Sequence, residues 1–222
     1  MAQLCVRPGG EDGSLNGHEY ELLSAPALGR LIEEGANAAV VPFGSIEHQG
    51  GHLPLGADAL LADLAGREVA GRLDAVLLPT VRVGCAEQHL DGAGTVSVPR
   101  ETITELAMAI AASLANQGFR LIVLVSIHGG NAEALGAAAD RFNRTYISAC
   151  VRVVRGDVGP EPGSHSGHWL TSVMLALRPE LVDLPAAAPE LRDELRTASA
   201  ERGAIYFERF VSAIVDAVRS EI

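Results

Sequence analysis

The chain has 222 residues, 48% hydrophobic and 20% charged, a size and balance that suit one globular domain burying about 70% of its unfolded surface and that exclude disorder. Seventeen basic against 28 acidic residues leave a formal charge of −11, which argues against a nucleic-acid partner because nothing compensates a polyanion's repulsion. Every basic residue is arginine, so Schiff-base chemistry, pyridoxal phosphate anchoring and a P-loop lysine are excluded.

In chain order, residues 1–20 are polar and Gly-rich without apolar periodicity and read as a loose leader. The domain follows over 21–222, and Ser24 offers a cap for a helix running to about Glu34. Ala38–Phe43 is an apolar run of strand length closed by Gly44, and similar runs recur at Ala75–Leu78, Leu121–Ser126 and Cys150–Val154. Leu60–Leu73, Glu101–Gln117 and Ala132–Phe142 carry apolar residues at three- and four-residue steps, with Gly118 a stop for the second. Pro160–Gly163 breaks the alternation. Helices are then expected over Trp169–Leu177 and Ala204–Arg219. Strands alternating with helices predict a single-domain α/β fold, its mainly parallel sheet covered by helices on both faces, with ligands beyond the carboxyl ends of the strands.

The cysteines, Cys5, Cys85 and Cys150, are odd in number and far apart, which points to a reducing compartment. No apolar run approaches the roughly 20 residues of a membrane span, and the start lacks the apolar stretch of a signal peptide. A cytoplasmic protein without membrane partners is expected.

Two polar clusters fall at strand ends. Gly44–Asp58 directly follows the first apolar run and places Glu47, His48, Gln49, His52 and Asp58 close together, while His128–Asn131 (HGGN) follows Leu121–Ser126. Carboxylates and imidazoles converging from two strand ends suit a cation held by oxygen and nitrogen, which fits zinc, manganese or iron better than calcium. A third cluster, Ser164–Trp169, adds His165 and His168 in a Gly-rich turn. Blander roles compete: His18 stands alone in the leader, His52 before Leu53-Pro54 reads equally as the holder of a turn, and Asp58 equally as a helix cap.

Four ordered motifs carry a resemblance. GSIEHQGGHLPLGAD from Gly44, GCAEQHLDGAGTVSV from Gly84, HGGN from His128 and HSGHWLTS from His165 are similar to the successive motifs of the creatininase family, over about Val40 to Asp183. The branch most similar in look is that of the mycofactocin-precursor peptidases, on the strength of His168 and the continuation SVMLALRPELV. The resemblance implies a creatininase-like α/β fold and an amidohydrolase whose two divalent metals share a bridging aspartate and activate water against a cyclic, non-peptide or peptide amide. In this chain Asp58 matches the bridge, Glu47 and His128 match ligands of one metal, and His165 matches the histidine beside the scissile bond; Glu47 and His165 are the catalytic candidates.

Two of the departures touch the second metal. Gln49 stands where the family has a histidine, because EQH has become EHQ, and Leu170 stands where it has the glutamate of ETS. Gln88 and Gly92 also depart from the family loop, implying a changed or enlarged pocket. One cation per chain is therefore expected, zinc or manganese and alternatively iron, on Glu47, Asp58 and His128. His48, Gln49, His52, His89, His168 and Trp169 are left for a second site or for the substrate. Expected partners are a small amide or short peptide and, as family members are homo-oligomers, further copies of the chain, with Trp169 and Leu53-Pro54-Leu55 near the boundary. The competing readings are a degenerate member serving as a binding or structural subunit, and a related lactam-forming enzyme.

Overall fold

The computed structural model describes residues 18–154 and 163–220. Most of the stretch read as a leader, and all but Gly163 of the break at Pro160–Gly163, lie outside the described residues. The strands are β1 (His18–Glu19), β2 (Ala38–Phe43), β3 (Val76–Leu77), β4 (Leu121–Ser126) and β5 (Cys150–Val154). They form one sheet in the order β1-β3-β2-β4-β5 with every neighbouring pair parallel. Parallel neighbours demand crossovers, supplied by α2 (Ala57–Leu73), α3 (Arg100–Asn116) and α4 (Ala132–Thr145). Before them comes α1 (Ala25–Glu33), whose Ser24 caps it by accepting from the Ala27 amide at 3.4 Å. After them come α5 (His168–Leu177), the short α6 (Arg192–Leu195) and α7 (Ala200–Ser220).

The period of two along the central strands explains why both faces are covered. Ala38 and Val40 of β2, with Leu121, Val123 and Val125 of β4, face a core completed by α2, α5 and α7. Ala39, Val41 and Phe43, with Ile122 and Leu124, face a second core completed by α1, α3 and α4. Ala38–Phe43 and Leu121–Val125 are apolar at every position because each side chain is buried on one face or the other. Phe43, Phe119 and Phe142 are fully buried in the second core, and truncating any of them to Ala is expected to cost about 3–5 kcal/mol.

This topology also fixes where a ligand can lie. The connection leaving β2 runs to β3 on one side, while the one leaving β4 runs to β5 on the other, so a crevice opens between the carboxyl ends of β2 and β4. Gly44 lets the chain turn there, since a Cβ at this position would collide with the Ala59 backbone at the start of α2. Strand β1 falls at the end of the stretch read as leader, where His18 pairs with Val76. Among the described residues, no helix is long and apolar enough to cross a membrane.

Candidate metal centre

Beyond Phe43 the chain stays extended, and alternation sorts its side chains. Ser45, Glu47 and Gln49 point inward and are at most 1% exposed, whereas His48 between them is exposed. Asp58 arrives in the first turn of α2, where the positive end of the helix dipole favours a carboxylate. His128 follows β4 directly and opens the single 3-10 turn of Gly129–Asn131.

These three side chains converge. His128 Nδ1 lies 3.1 Å from Glu47 Oε1 and 3.2 Å from Asp58 Oδ2. Its other nitrogen, Nε2, is 2.6 Å from the carbonyl oxygen of Cys85; a carbonyl only accepts, so Nε2 carries the proton. Nδ1 is thereby left either to coordinate a cation or to take a second proton. Without a cation it is protonated: burial works against the charge, but the bonds to Asp58 and Glu47 outweigh it and push the His128 pKa to about 10. Burial likewise opposes ionisation of Asp58, yet its bond and charge pairing with His128 and its bond with Ser45 hold its pKa below the ordinary 3.8. Ser45 Oγ supplies one of them, donating to Asp58 Oδ2 at 2.8 Å.

The donor set fits a divalent cation. Metal–ligand bonds of about 2.0–2.2 Å place neighbouring ligand atoms about 3.0–3.4 Å apart, the range that the two Nδ1–oxygen distances occupy. Glu47 Oε2 is buried without a hydrogen-bond partner among the described residues. Such an orphan costs about 1–3 kcal/mol or more unless something else satisfies it. The carbonyl-bound Nε2–H of His128 is also the usual outer support of a metal-binding imidazole.

A cavity of about 430 Å³ opens beside the trio, lined by Glu47, Asp58, His128, His89, His165 and Leu170 among others. His165 Nε2 lies 2.8 Å from the carbonyl of His48 and so donates to it, leaving Nδ1 at 3.8 Å from Glu47 Oε1. His89 stacks on His165 with ring centroids 3.8 Å apart and planes inclined by 20°. Burial, then the neighbouring His165, keeps the His89 pKa below 6.5. Glu47, His89 and His165 form a second group whose ligand atoms lie within 4.8 Å. Face-to-face stacking works against a shared ion, because an imidazole binds a cation in its own plane and two parallel planes do not meet. Trp169 closes the wall; it is 5% exposed, packs on Phe210 at 5.6 Å, and its Nε1 has no partner among the described residues.

Of the residues expected to serve a second site or the substrate, His89, Gln49 and Trp169 reach the centre, while three others do not. His48 points outward by strand alternation. His52 is 1% exposed, outside the cavity lining, and lies 2.8 Å from Thr171 Oγ1 and 3.3 Å from the Gly50 carbonyl: it holds the turn, and burial keeps its pKa below 6.5. His168, the first residue of α5, faces Arg202 at 3.4 Å and Tyr206 instead of the cavity. The burial of Trp169 also removes it as a boundary residue.

Sequence reasoning misses several supports. Asn131, fully buried, accepts from the Cys85 amide at 3.0 Å and donates to the Gly44 carbonyl at 2.9 Å, stapling three chain segments; its place in HGGN is the one signal that points to it. Glu194, on α6, accepts from the Ser164 and His168 amides at 3.1 and 2.7 Å and from Ser164 Oγ at 2.6 Å. It acts as a remote cap for α5, whose own Gly167 has no side chain to offer. A Cβ at Gly167 would collide with the Glu194 carboxylate. No local pattern signals such a partner from 30 residues away.

The creatininase (creatinine amidohydrolase) family profile matches residues 21–218. The mycofactocin precursor peptide peptidase of Mycobacterium ulcerans (strain Agy99) is 35% identical over 156 residues, 64% of this chain and 59% of that relative, so the match spans less than two thirds of its length. The creatinine amidohydrolase of Pseudomonas putida is 28% identical over 257 aligned positions, covering 94% of this chain and 96% of that relative. Among solved structures, a manganese form of creatininase superposes with a TM-score of 0.79 at 26% identity, covering 92% of this chain and 98% of that one. A mutant creatininase of Zn–Zn type gives 0.79 at 25% identity with the same coverage. Motifs, all-parallel topology and a buried Glu–Asp–His cluster at the strand ends thus agree with these likenesses, and the chain belongs to the creatininase family.

Proposed function

We propose that the chain is a metal-dependent amidohydrolase with one divalent cation held by Glu47, Asp58 and His128, acting on a cyclic or other small amide or on a short peptide. The observation that carries this reading is His128 Nδ1, set 3.1 and 3.2 Å from two buried carboxylates while Nε2–H is committed to a carbonyl. The catalytic chemistry named for the relatives, opening of creatinine and cleavage of a precursor peptide, breaks a C–N bond in both cases. Zinc and manganese are the metals named for the solved relatives and are the first to test here.

When bound, the cation would supply a water of lowered pKa and polarise the substrate carbonyl. The chain's own groups do the rest. Glu47 Oε2, without a hydrogen-bond partner among the described residues, is placed to take the water proton as the nucleophile adds to the amide carbon. His165 Nδ1, 3.8 Å from the other oxygen of the same carboxylate and without a proton of its own while Nε2–H is committed, would take up that water proton from Glu47 and pass it to the departing nitrogen. Its Nε2–H bond to the His48 carbonyl holds the ring in that orientation. Leu170 and Trp169 form the apolar side of the wall and limit water around the reacting centre. The products are a carboxylate and an amine, with water consumed.

The test is metal content per chain after purification without chelators, together with turnover of creatinine-like lactams and short peptides in added zinc or manganese. About one ion per chain, and hydrolysis lost in Asp58→Ala, is the expected result. No metal uptake together with no turnover would make the chain a structural subunit of its family instead. Assembly belongs to the same proposal: Leu55 and Val96 are 40% and 52% exposed on segments that both bond Ile46–Glu47, and they offer an apolar rim for a homo-oligomer. A monomer by light scattering at micromolar concentration would refute that part.

A further inference from the structure

Gln49 shares the extended run of Glu47 and is 1% exposed. One end of its carboxamide lies 3.3 Å from Glu47 Oε1 and 3.3 Å from Asp58 Oδ2. Ionised carboxylates only accept hydrogen bonds, so the end facing them must be the nitrogen, Nε2. Oε1 then faces Ser166 Oγ at 2.7 Å, and the serine must donate. Ser166 is itself at φ 58°, one of two non-glycine residues with positive φ among those described. L side chains rarely adopt that conformation, and it persists where surrounding structure over-determines it. The surrounding structure is visible: Glu194 ties down Ser164 on one side and His168 on the other, and Thr171 Oγ1 donates to the Ser166 carbonyl at 3.1 Å.

The two carboxylate oxygens that Nε2 meets are the same two that His128 Nδ1 meets. We propose that the Gln49 carboxamide, turned and latched by Ser166, is a built-in substitute for a second cation. Its two N–H groups tie Glu47 and Asp58 together from the position at which the family carries a histidine for the second metal, offering donors where that ion would need a ligand, and so hold the centre at one ion. A solved relative of Zn–Zn type shows that this fold accommodates a pair; here a neutral donor fills that role. Gln49 Oε1 is not available to ligate the first ion, because it is committed to Ser166. Ser166 is thus a positioning residue for metal stoichiometry, and the inference rests on the reading that Glu47, Asp58 and His128 hold a cation.

The experiment strips the protein with a chelator, reloads it with excess Mn2+, and measures metal per chain by plasma mass spectrometry and ion coupling by electron paramagnetic resonance. The wild type should hold about one Mn2+ with the spectrum of isolated ions. Gln49→Glu keeps the shape but replaces the donor by an acceptor, and should hold about two with an exchange-coupled spectrum. Ser166→Ala removes only the latch and should bind a second Mn2+ about tenfold more tightly than the wild type; it decides the matter where Gln49→Glu fails to fold. One ion in every form, with second-ion affinity unchanged, overturns the inference and leaves the single-cation reading standing. Two tightly held ions in the wild type also overturn it. No ion in any form overturns that underlying reading and the inference with it.

Discussion

The two halves of the centre are held by different means. Glu47 and His128 hang from the ends of β2 and β4, which pair residue for residue from Ala38–Leu121 to Phe43–Ser126, and Asp58 sits on the helix packed behind them. Their positions follow from the core. His165 and Ser166 instead lie in a Gly-rich loop held by side-chain bonds, chief among them those of one carboxylate, Glu194, reaching across from a short helix. The contrast teaches that the half proposed to hold the cation is as rigid as the fold, whereas the half proposed to serve the leaving nitrogen is only as rigid as its tethers. The two are separable by mutation.

The largest break falls on the first half. Asp58→Ala should release the cation and lower amide turnover on the order of 10³-fold, read by metal content and by product formation under zinc or manganese. Retained metal at wild-type affinity would remove Asp58 from the centre. Next comes Asn131→Ala, which leaves the Gly44 carbonyl and the Cys85 amide unpaired in the interior. It should cost about 2–3 kcal/mol in denaturant unfolding, and an unchanged midpoint would show that the staple is redundant.

Breaking the second half is milder and of a different kind. Glu194→Ala should cost about 1–2 kcal/mol, the usual worth of a helix cap. It should also depress kcat while the cation proposed on Glu47, Asp58 and His128 is retained, with Glu194→Gln falling between. Equal loss of metal and turnover would mean that the halves are coupled and the comparison false.

A further effect falls on the pH dependence of the metal-free protein. The folded-state pKa of His128 is raised from 6.5 to about 10, so its stabilising contribution is complete below pH 6.5 and is lost as pH rises towards 10. That of Asp58 is depressed below 3.8, so its contribution is present above that value and lost as pH falls through the lowered one. In chelator, Tm should therefore be greatest between about pH 4 and 6.5 and decline on the alkaline side. Metal affinity should run the opposite way and increase with pH, since the ion displaces the second proton of His128. A chelated protein whose Tm rises steadily from pH 6 to 9 would contradict the ion-pair assignment.

What can be read from sequence divides along the same line. Strands β2, β4 and β5 begin and end where their apolar runs do; in the central β2 and β4 this follows from burial on both faces, whereas the edge strand β5 is only partly buried and carries Arg152. Glu47, Asp58 and His128 fall in two clusters that the residue pattern places after strand ends, where a parallel sheet gathers its ligands, but their selection from the other polar residues of those clusters is what the family resemblance implies. β1 escapes such a reading because two residues at a sheet edge carry no periodicity. The 3-10 turns between Pro179 and Leu191 escape it because prolines, and not spacing, shape them. His48 and Gln49 look interchangeable as candidates; alternation separates them, yet which end of the Gln49 amide faces the carboxylates emerges only once Ser166 is located. His89 is reached through family likeness alone, as its stacking on His165 joins segments remote in sequence.

The strap from Asp183 to Ser199 has a consequence for biosynthesis. The amide of Asp183 bonds the His52 carbonyl, that of Ala188 bonds the Gly50 carbonyl, and that of Ser199 bonds Ser172 Oγ. Glu194 fastens the histidine loop in the same stretch. On the ribosome Glu47, Asp58 and His128 all emerge well before any of these fasteners. A nascent chain can form its sheet and gather its ligands early, but the pocket wall is tied down only when the last part of the domain arrives. Capture of the proposed cation would thereby be able to precede completion of the pocket.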